Sequence, residues 1–179
     1  MQFIETAIKG LVIIEPRIFK DERGYFFESY NKAAFERAGL NYDFVQDNQS
    51  LSRYGTIRGL HFQKGVSAQA KLVRCIAGKV LDVAVDIRPG SPTYGRHVSV
   101  ELDAETQRMF MVPRGFAHGF AVLSDTAVFA YKCDNPWNKG AEGGLRWNDP
   151  ALGIDWKIPA DSQILADRDR AFPLLKELG

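Results

Sequence analysis

Short strand-forming runs, each ended by turn residues, fill most of this chain and limit the folds it can adopt. Apolar, β-branched and aromatic residues recur in these runs, with turns such as Pro89-Gly90 and 113–115 (PRG) between them. Strands are predicted over residues 11–19, 25–30, 43–47, 56–62, 70–77, 79–88, 96–102, 108–112, 118–123 and 126–133. Many short strands with such turns are typical of a β-sandwich or barrel, the jelly roll foremost. We therefore predict an all-β fold with a small ligand held at the mouth of the barrel.

One predicted strand shows its two faces clearly. Along residues 80–87, one set of alternate positions is apolar and the other set carries two carboxylates. The apolar set is Leu81, Val83, Val85 and Ile87, and the other set is Asp82, Ala84 and Asp86. This alternation predicts a sheet with one buried face. A short flanking helix is predicted over residues 31–39, with Asn31 as its cap and Gly39 as its stop.

The composition suits one compact domain. The 179 residues include 45% hydrophobic side chains, so we expect a single domain spanning residues 1–179. The 23 basic and 22 acidic residues are well mixed, which argues against nucleic-acid or membrane-surface binding. No basic-then-apolar leader begins the chain, and no apolar run approaches the ~20 residues of a membrane span. Cys75 and Cys133 lie in apolar runs, which favours reduced thiols and a cytoplasmic protein.

Chemically versatile side chains cluster in residues 55–63 (GTIRGLHFQ) and 69–73 (QAKLV). The Arg58 guanidinium suits a phosphate or carboxylate, because its fork binds oxygens in pairs. His61 is the residue type that takes and returns a proton near neutrality. Lys71 can stabilise negative charge that develops on an oxygen. Together they would remove a proton beside a carbonyl while holding an anionic substrate; the alternative is a buried strand with charges at its edge.

The spacing of Arg58 and His61 raises a geometric question. Alternate residues of a strand face opposite ways, so these two side chains would point to opposite sides of the sheet. Gly59 lies between them and is a position where a β-bulge would re-aim one of them. Without the bulge, the two residues belong to different neighbourhoods.

Other polar and aromatic residues have a functional and a structural interpretation. These residues are Arg23, Phe26, Glu28, Gln46, Asp47, Asn48, His118, Tyr131 and Trp137. In the functional interpretation the first six bind a ligand. In the structural one they belong to a solvated turn and a polar strand end. His118 and Tyr131 point into the same cavity or pack, hydrogen bonded, in the core. Trp137 stacks on a base or caps the barrel.

Several motifs, in their joint order, resemble the dTDP-4-dehydrorhamnose 3,5-epimerase family. They are FKDERGYFFESY at residues 19–30, RGLHFQ, QAKLV, GKVLDVAVDIRPGSPTYG, VPRGFAHGF, YK and WNDP, with the Asp169 region beyond. The resemblance implies a cupin-like β-jelly-roll (a double-stranded β-helix) with short flanking helices. It further implies a homodimer that works without a metal or organic cofactor.

The resemblance also implies a reaction and the residues that perform it. The family inverts carbons 3 and 5 of dTDP-4-dehydro-6-deoxy-D-glucose, giving dTDP-4-dehydro-L-rhamnose for dTDP-rhamnose biosynthesis. His61 matches the base, and Asp169 matches the carboxylate that orients it. Lys71 matches the cation beside the enolate oxygen, and Tyr131 matches the acid that reprotonates carbon from the opposite face.

Substrate-binding positions are implied in the same way. Arg23 and Arg58 match diphosphate contacts, with His118 near the same nucleotide-sugar. Phe26 is two residues from Glu28, so in a strand these two side chains would share a face. The positions near the nucleoside are Glu28, Gln46, Asp47 and Asn48, and further ligand contacts are Glu142 and Arg168. The N-terminal segment of family members crosses to the partner subunit. Trp137 replaces a stacking tyrosine, and Arg168 replaces a lysine.

Three alternatives differ in chemistry. A metal-dependent cupin needs clustered ligands, whereas His61 and His118 are far apart and no His-x-His occurs. A non-catalytic nucleotide-sugar-binding cupin would not need an acid and a base. A mono-epimerase, which inverts carbon 3 or carbon 5 alone, shares nearly all of these motifs.

Overall fold

The structure is a computed structural model that describes residues 1–178. Gly179, the last residue of the predicted domain, lies outside the described residues. The strands are β1 (Gln2–Glu5), β2 (Val12–Glu15), β3 (Phe19–Asp21), β4 (Gly24–Phe26), β5 (Gln46–Arg53), β6 (Ile57–Gln63), β7 (Lys71–Ala77), β8 (Lys79–Asp86), β9 (His97–Asp103), β10 (Met109–Val112), β11 (Phe116–Val122), β12 (Thr126–Cys133) and β13 (Glu142–Gly144). The helices are α1 (Lys32–Arg37) and α2 (Asp167–Arg170), and four short 3-10 turns complete the described elements.

Two antiparallel sheets form the body of the molecule. The larger sheet has the order β1-β2-β10-β7-β12-β5, and the smaller one has the order β13-β6-β11-β8-β9. The strands β3 and β4 form a separate exposed hairpin. The order is far from sequential, so the chain crosses repeatedly between the sheets, as a jelly roll requires.

The main core lies between the two sheets. Val73, Phe110 and Phe129 of the larger sheet belong to one cluster with Phe116 and Phe120 of the smaller sheet. The outer face of the smaller sheet packs on the chain beyond β13, through a second cluster that includes Leu145, Leu152, Trp156 and Ile158. The smaller sheet is therefore covered on both faces.

The expectation of one buried face along residues 80–87 is wrong, because both faces of β8 are buried. Leu81, Val83 and Val85 join the outer cluster, as their apolar character indicates. Asp82 and Asp86 are fully buried as well. They lie on the side that faces the larger sheet, where hydrogen-bonding partners replace water. The polar positions thus mark the inside of the sandwich.

Several strand boundaries also differ from the predicted ones. The run 11–19 is divided between β2 and β3, and the predicted strand 25–30 ends at Phe26. The predicted strand 43–47 is instead β5, whose polar sequence (QDNQSLSR) hides its strand character. The short helix is confirmed: the Asn31 side chain accepts from the Ala34 N–H at 3.1 Å, and Gly39 follows with φ +79°. No helix in the described part of the chain is long and apolar enough to cross a membrane.

Candidate active site

Two adjoining cavities open between the sheets, with volumes of about 230 and 260 Å³. Four side chains line both of them: His61, Lys71, Tyr131 and Arg168. The inner cavity adds Asn48, Arg58 and His118, and the outer one adds Trp137 and Glu142. Most of the chemistry-bearing residues singled out in the sequence therefore face one continuous space.

A register shift in β6 brings Arg58 and His61 to the same side. His118 pairs with His61, whereas Phe120, two residues further, pairs with Arg58, three residues back. β6 thus contains one residue more than β11 in this interval, which is the bulge expected at Gly59. Gly59 has φ +140°, and a Cβ there would lie 2.6 Å from the Gly119 Cα. A glycine is needed here for its conformation and for the close approach of two strands.

His61 is held by a buried carboxylate. Its Nε2 lies 2.8 Å from Oδ1 of Asp169, which α2 supplies, and the Gly59 N–H donates to Oδ2 at 3.3 Å. The Arg168 Nε lies 3.4 Å from the same Oδ1. Burial alone would raise the pKa of Asp169, but the hydrogen bonds and charges of these neighbours outweigh it and lower that pKa. The carboxylate is therefore ionised near neutral pH and orients the imidazole.

Lys71 and Tyr131 occupy neighbouring strands of the larger sheet, across the cavity from β6. The Lys71 Nζ lies 5.8 Å from the centroid of the Tyr131 ring. Burial lowers the pKa of Lys71 because the charged form loses its water. Burial raises the pKa of Tyr131 for the same reason, so that its phenol keeps its proton at neutral pH. A basic amine and a weak acid thus lie together.

A second histidine–carboxylate pair lies deeper in the inner cavity. The His118 Nε2 is 2.9 and 3.0 Å from the two carboxylate oxygens of Asp82. The His118 ring also lies parallel to the ring of Phe129, with centroids 6.4 Å apart. The contact of Asp82 with His118 was not predicted from the sequence; the available signal was a carboxylate within an otherwise apolar strand.

Polar residues connect the mouth of the site to its interior. The Trp137 N–H donates to Gln46 Oε1 at 2.9 Å, and Gln46 Nε2 donates to Asn48 Oδ1 at 3.1 Å. Trp137 itself is 52% exposed, so its indole face is accessible. The Arg168 Nη1 donates to both oxygens of Glu142, at 3.1 and 3.2 Å. Arg58 is fixed by a bond from its Nε to the Ser52 Oγ at 3.0 Å.

Five predicted binding residues do not line these cavities within one chain, and one of them, Gln46, lies just behind the lining, bonded to Asn48 and Trp137. Arg23 pairs with Asp21 at the tip of the exposed β3–β4 hairpin, and Phe26 in the same hairpin is 68% exposed. Glu28 accepts from Asn31, and Asp47 projects from the outer face of β5 to pair with Lys132. Their binding roles stay predictions.

The chain is similar to known proteins and solved structures along almost its full length. The model described as dTDP-4-dehydrorhamnose 3,5-epimerase matches residues 5–177. The chain belongs to the dTDP-4-dehydrorhamnose 3,5-epimerase family. It is 51% identical to the dTDP-4-dehydrorhamnose 3,5-epimerase of Salmonella typhimurium, over 99% of this chain and 97% of that protein.

Solved structures of dTDP-sugar epimerases are similar along the whole chain. The Elizabethkingia anophelis dTDP-4-dehydrorhamnose 3,5-epimerase has a TM-score of 0.95 and 56% identity, covering 99% of this chain and 98% of that one. A Legionella pneumophila dTDP-6-deoxy-D-glucose-3,5-epimerase, in complex with dTDP-4-keto-L-rhamnose, has a TM-score of 0.95 and 47% identity, covering 99% and 94%. The predictions of the family, the jelly-roll fold and the 3,5-epimerase activity are confirmed.

Metal ligation was the alternative chemistry for a cupin-like fold. Across residues 1–178, no group of three or more His, Cys, Asp or Glu side chains is placed to hold a metal ion. The two histidines of the cavities each turn one nitrogen to a carboxylate instead.

Proposed function

We propose that His61, Lys71 and Tyr131 carry out the epimerisation of dTDP-4-dehydro-6-deoxy-D-glucose at C3 and C5, with Asp169 as the residue that positions the base. The observation that carries this proposal is that His61 and Tyr131, from opposite sheets, line the same two cavities. An epimerase needs an acid and a base on opposite faces of one carbon. A protein that merely bound the nucleotide-sugar would not need either.

Proton abstraction is assigned to His61. Nε2 is bonded to Asp169, so Nδ1 is the nitrogen left to take the proton. When the C–H bond beside the ketone breaks, its electron pair moves toward the C4 oxygen and gives an enolate. The Lys71 ammonium stabilises that oxygen, and the poorly hydrated surroundings strengthen the interaction.

Reprotonation is assigned to Tyr131. Its phenol is protonated at neutral pH and donates to the carbon from the side opposite to His61, which inverts the centre. Both groups then return to their starting protonation states by exchange with water. The same set acts at C3 and at C5, because both carbons flank the C4 ketone.

Binding is assigned to the charged and aromatic groups around this centre. Arg58 and His118 face the inner cavity and suit the diphosphate. Trp137 offers a flat exposed surface for the thymine. Gln46 links Trp137 to Asn48, because it is hydrogen bonded to both residues. Arg168 and Glu142 stand at the outer cavity, where they would contact the nucleotide-sugar.

We further propose that the chain acts as one domain in a cytoplasmic homodimer that exchanges its N-terminal segment. The β3–β4 hairpin supports this proposal, because it exposes Phe19, Tyr25 and Phe26 to solvent. The partner would cover these rings and receive Arg23 and Glu28 at its own site. A single chain, by this proposal, has an incomplete substrate site.

The test is to incubate the protein with dTDP-4-dehydro-6-deoxy-D-glucose in deuterated water and follow both carbons by NMR. Deuterium at C3 and C5 with inversion at both is the expected result. Label at one carbon would identify a mono-epimerase, and no label would identify a binding protein. Either of these outcomes would contradict the proposal.

A further inference from the structure

The segment that supplies Asp169 also places an aromatic ring beside His61. Phe172 follows α2 by two residues, and its ring centroid lies 5.7 Å from that of the His61 imidazole. The ring planes are inclined by 72°, an edge-to-face arrangement. Asp169 holds Nε2 of the same imidazole. Two contacts from one short segment therefore act on a single side chain.

The backbone fixes the position of Phe172. The Arg146 Nε donates to the Phe172 carbonyl at 2.9 Å, and the Arg146 N–H donates to the Pro173 carbonyl at 2.9 Å. Arg146 lies two residues beyond β13, and β13 pairs with β6. The ring is thus tied to the strand that neighbours His61.

Gly144 provides the space that the ring occupies. It pairs directly with His61 in the β13–β6 ladder. A Cβ at Gly144 would clash with three ring carbons of Phe172. The φ angle of Gly144 lies outside the left-handed region, so the backbone conformation does not demand a glycine here. The absence of a side chain at Gly144 therefore leaves the space that the Phe172 ring fills.

We propose that Phe172, seated on Gly144, is a positioning residue that holds the His61 imidazole with Nε2 on Asp169 and Nδ1 toward the substrate. This proposal rests on the proposed role of His61 as the base. An imidazole held by a single hydrogen bond can still tilt or flip. A phenyl ring packed against the imidazole removes that freedom. A base that samples other orientations spends less time within reach of the substrate carbon.

Kinetics of Phe172→Ala and Phe172→Leu give the first test. Phe172→Ala should lower kcat on the order of 10- to 100-fold with KM and dTDP affinity unchanged, since misplacement of a reacting group has effects of this size. Phe172→Leu should recover most of the loss. Leu175→Ala is the matched control, because Leu175 packs in the outer core from the same segment; it should keep kcat.

Gly144→Ala should reduce kcat as Phe172→Ala does, because the added methyl displaces the ring. The double variant Gly144→Ala/Phe172→Ala should lose no more than Phe172→Ala alone, because the clash has gone. If the loss of kcat in the double variant equalled the product of the two single losses, the proposal would be contradicted.

Imidazole ¹⁵N NMR provides a readout that does not depend on turnover. The chain has three histidines, and His61→Asn identifies the His61 signals. The neutral form of His61 should be a single tautomer in the unmodified protein and a mixture in Phe172→Ala. Unchanged His61 signals or an unchanged kcat in Phe172→Ala would overturn the inference. An active His61→Asn variant would instead overturn the proposed base.

Discussion

The histidines of two histidine–carboxylate pairs line the inner cavity, but the two pairs are held differently. The His61 side chain is 22% exposed, and its partner Asp169 comes from a helix far along the chain. The His118 side chain is 7% exposed, and both oxygens of its fully buried partner, Asp82, lie on one nitrogen. The two pairs thus have similar chemical groups, but His61 is accessible to solvent and His118 is enclosed.

This difference in exposure supports the proposed roles of His61 as the base and of His118 as a fixed contact to the substrate. A base must reach carbon and exchange its proton with solvent, which the partly exposed His61 can do. His118 is held by Asp82 on one side and by the Phe129 ring on another, so it suits a fixed contact to the diphosphate. The proposed roles therefore rest on the surroundings of each pair rather than on its residue types.

The strongest test of the two proposed roles is to replace each histidine by asparagine. His61→Asn should lower deuterium incorporation at both carbons by about 10²–10⁴-fold while dTDP still binds, because loss of a positioned base has this cost. His118→Asn should mainly raise KM. NMR exchange and calorimetric dTDP titration measure the two effects. Equal losses of kcat in the two variants would show that both histidines act as bases.

Replacement of the acid tests whether one base suffices. Tyr131→Phe should lower inversion by about 10²-fold, the range expected for loss of a general acid. Deuterium exchange with retained configuration should persist, because His61 can return a proton to the face from which it took one. NMR of the recovered sugar distinguishes the two products. Exchange that stops completely would mean that Tyr131 also takes part in abstraction.

Substitution of the two carboxylates should have smaller effects than substitution of the histidines, on activity for Asp169 and on stability for Asp82. Asp169→Asn should lower kcat on the order of 10- to 100-fold through misorientation of His61. Asp82→Asn should chiefly lower the free energy of unfolding, by about 1–3 kcal/mol, because it weakens a fully buried hydrogen-bonded pair. Steady-state kinetics and urea unfolding of both variants check this. The reverse pattern would exchange the roles assigned to the pairs.

The smallest expected effect concerns stability at Lys71, which interacts electrostatically with Asp82 and Glu142. Burial lowers the pKa of Lys71 in the folded protein, so the unfolded chain binds more protons between that pKa and about 10.4. The destabilisation of the folded protein by the buried Lys71 is therefore largest at lower pH and fades as pH rises. Lys71→Met should raise the Tm at pH 7 and lose this gain toward pH 10.5. A gain that does not depend on pH would indicate better packing instead.

Much of the fold was predictable because strand periodicity and turn residues act locally. The strand β5 was the weak point: its polar side chains, such as Asn48, face a cavity, and periodicity analysis treats polar residues as solvent-facing. The same assumption failed for Asp82 on β8. A chain that encloses a polar site inverts the usual relation between polarity and exposure.

The residues of the site were predictable where the family motifs mark them, and their arrangement was not. The bulge at Gly59 was foreseeable from the glycine between Arg58 and His61. The contact of Phe172 with His61 was not, because it joins residues more than a hundred positions apart and depends on the space above Gly144. Such contacts follow from tertiary structure alone.

The double burial of β8 also has a consequence for how the molecule opens. This strand is hydrogen bonded to β11 and β9 and has almost no solvent-facing residue, so its amide hydrogens should be among the last to exchange with water. Asp82 then loosens only with global unfolding. Asp169 instead lies on a helix of four residues outside both sheets, so its amide hydrogen should exchange before those of β8.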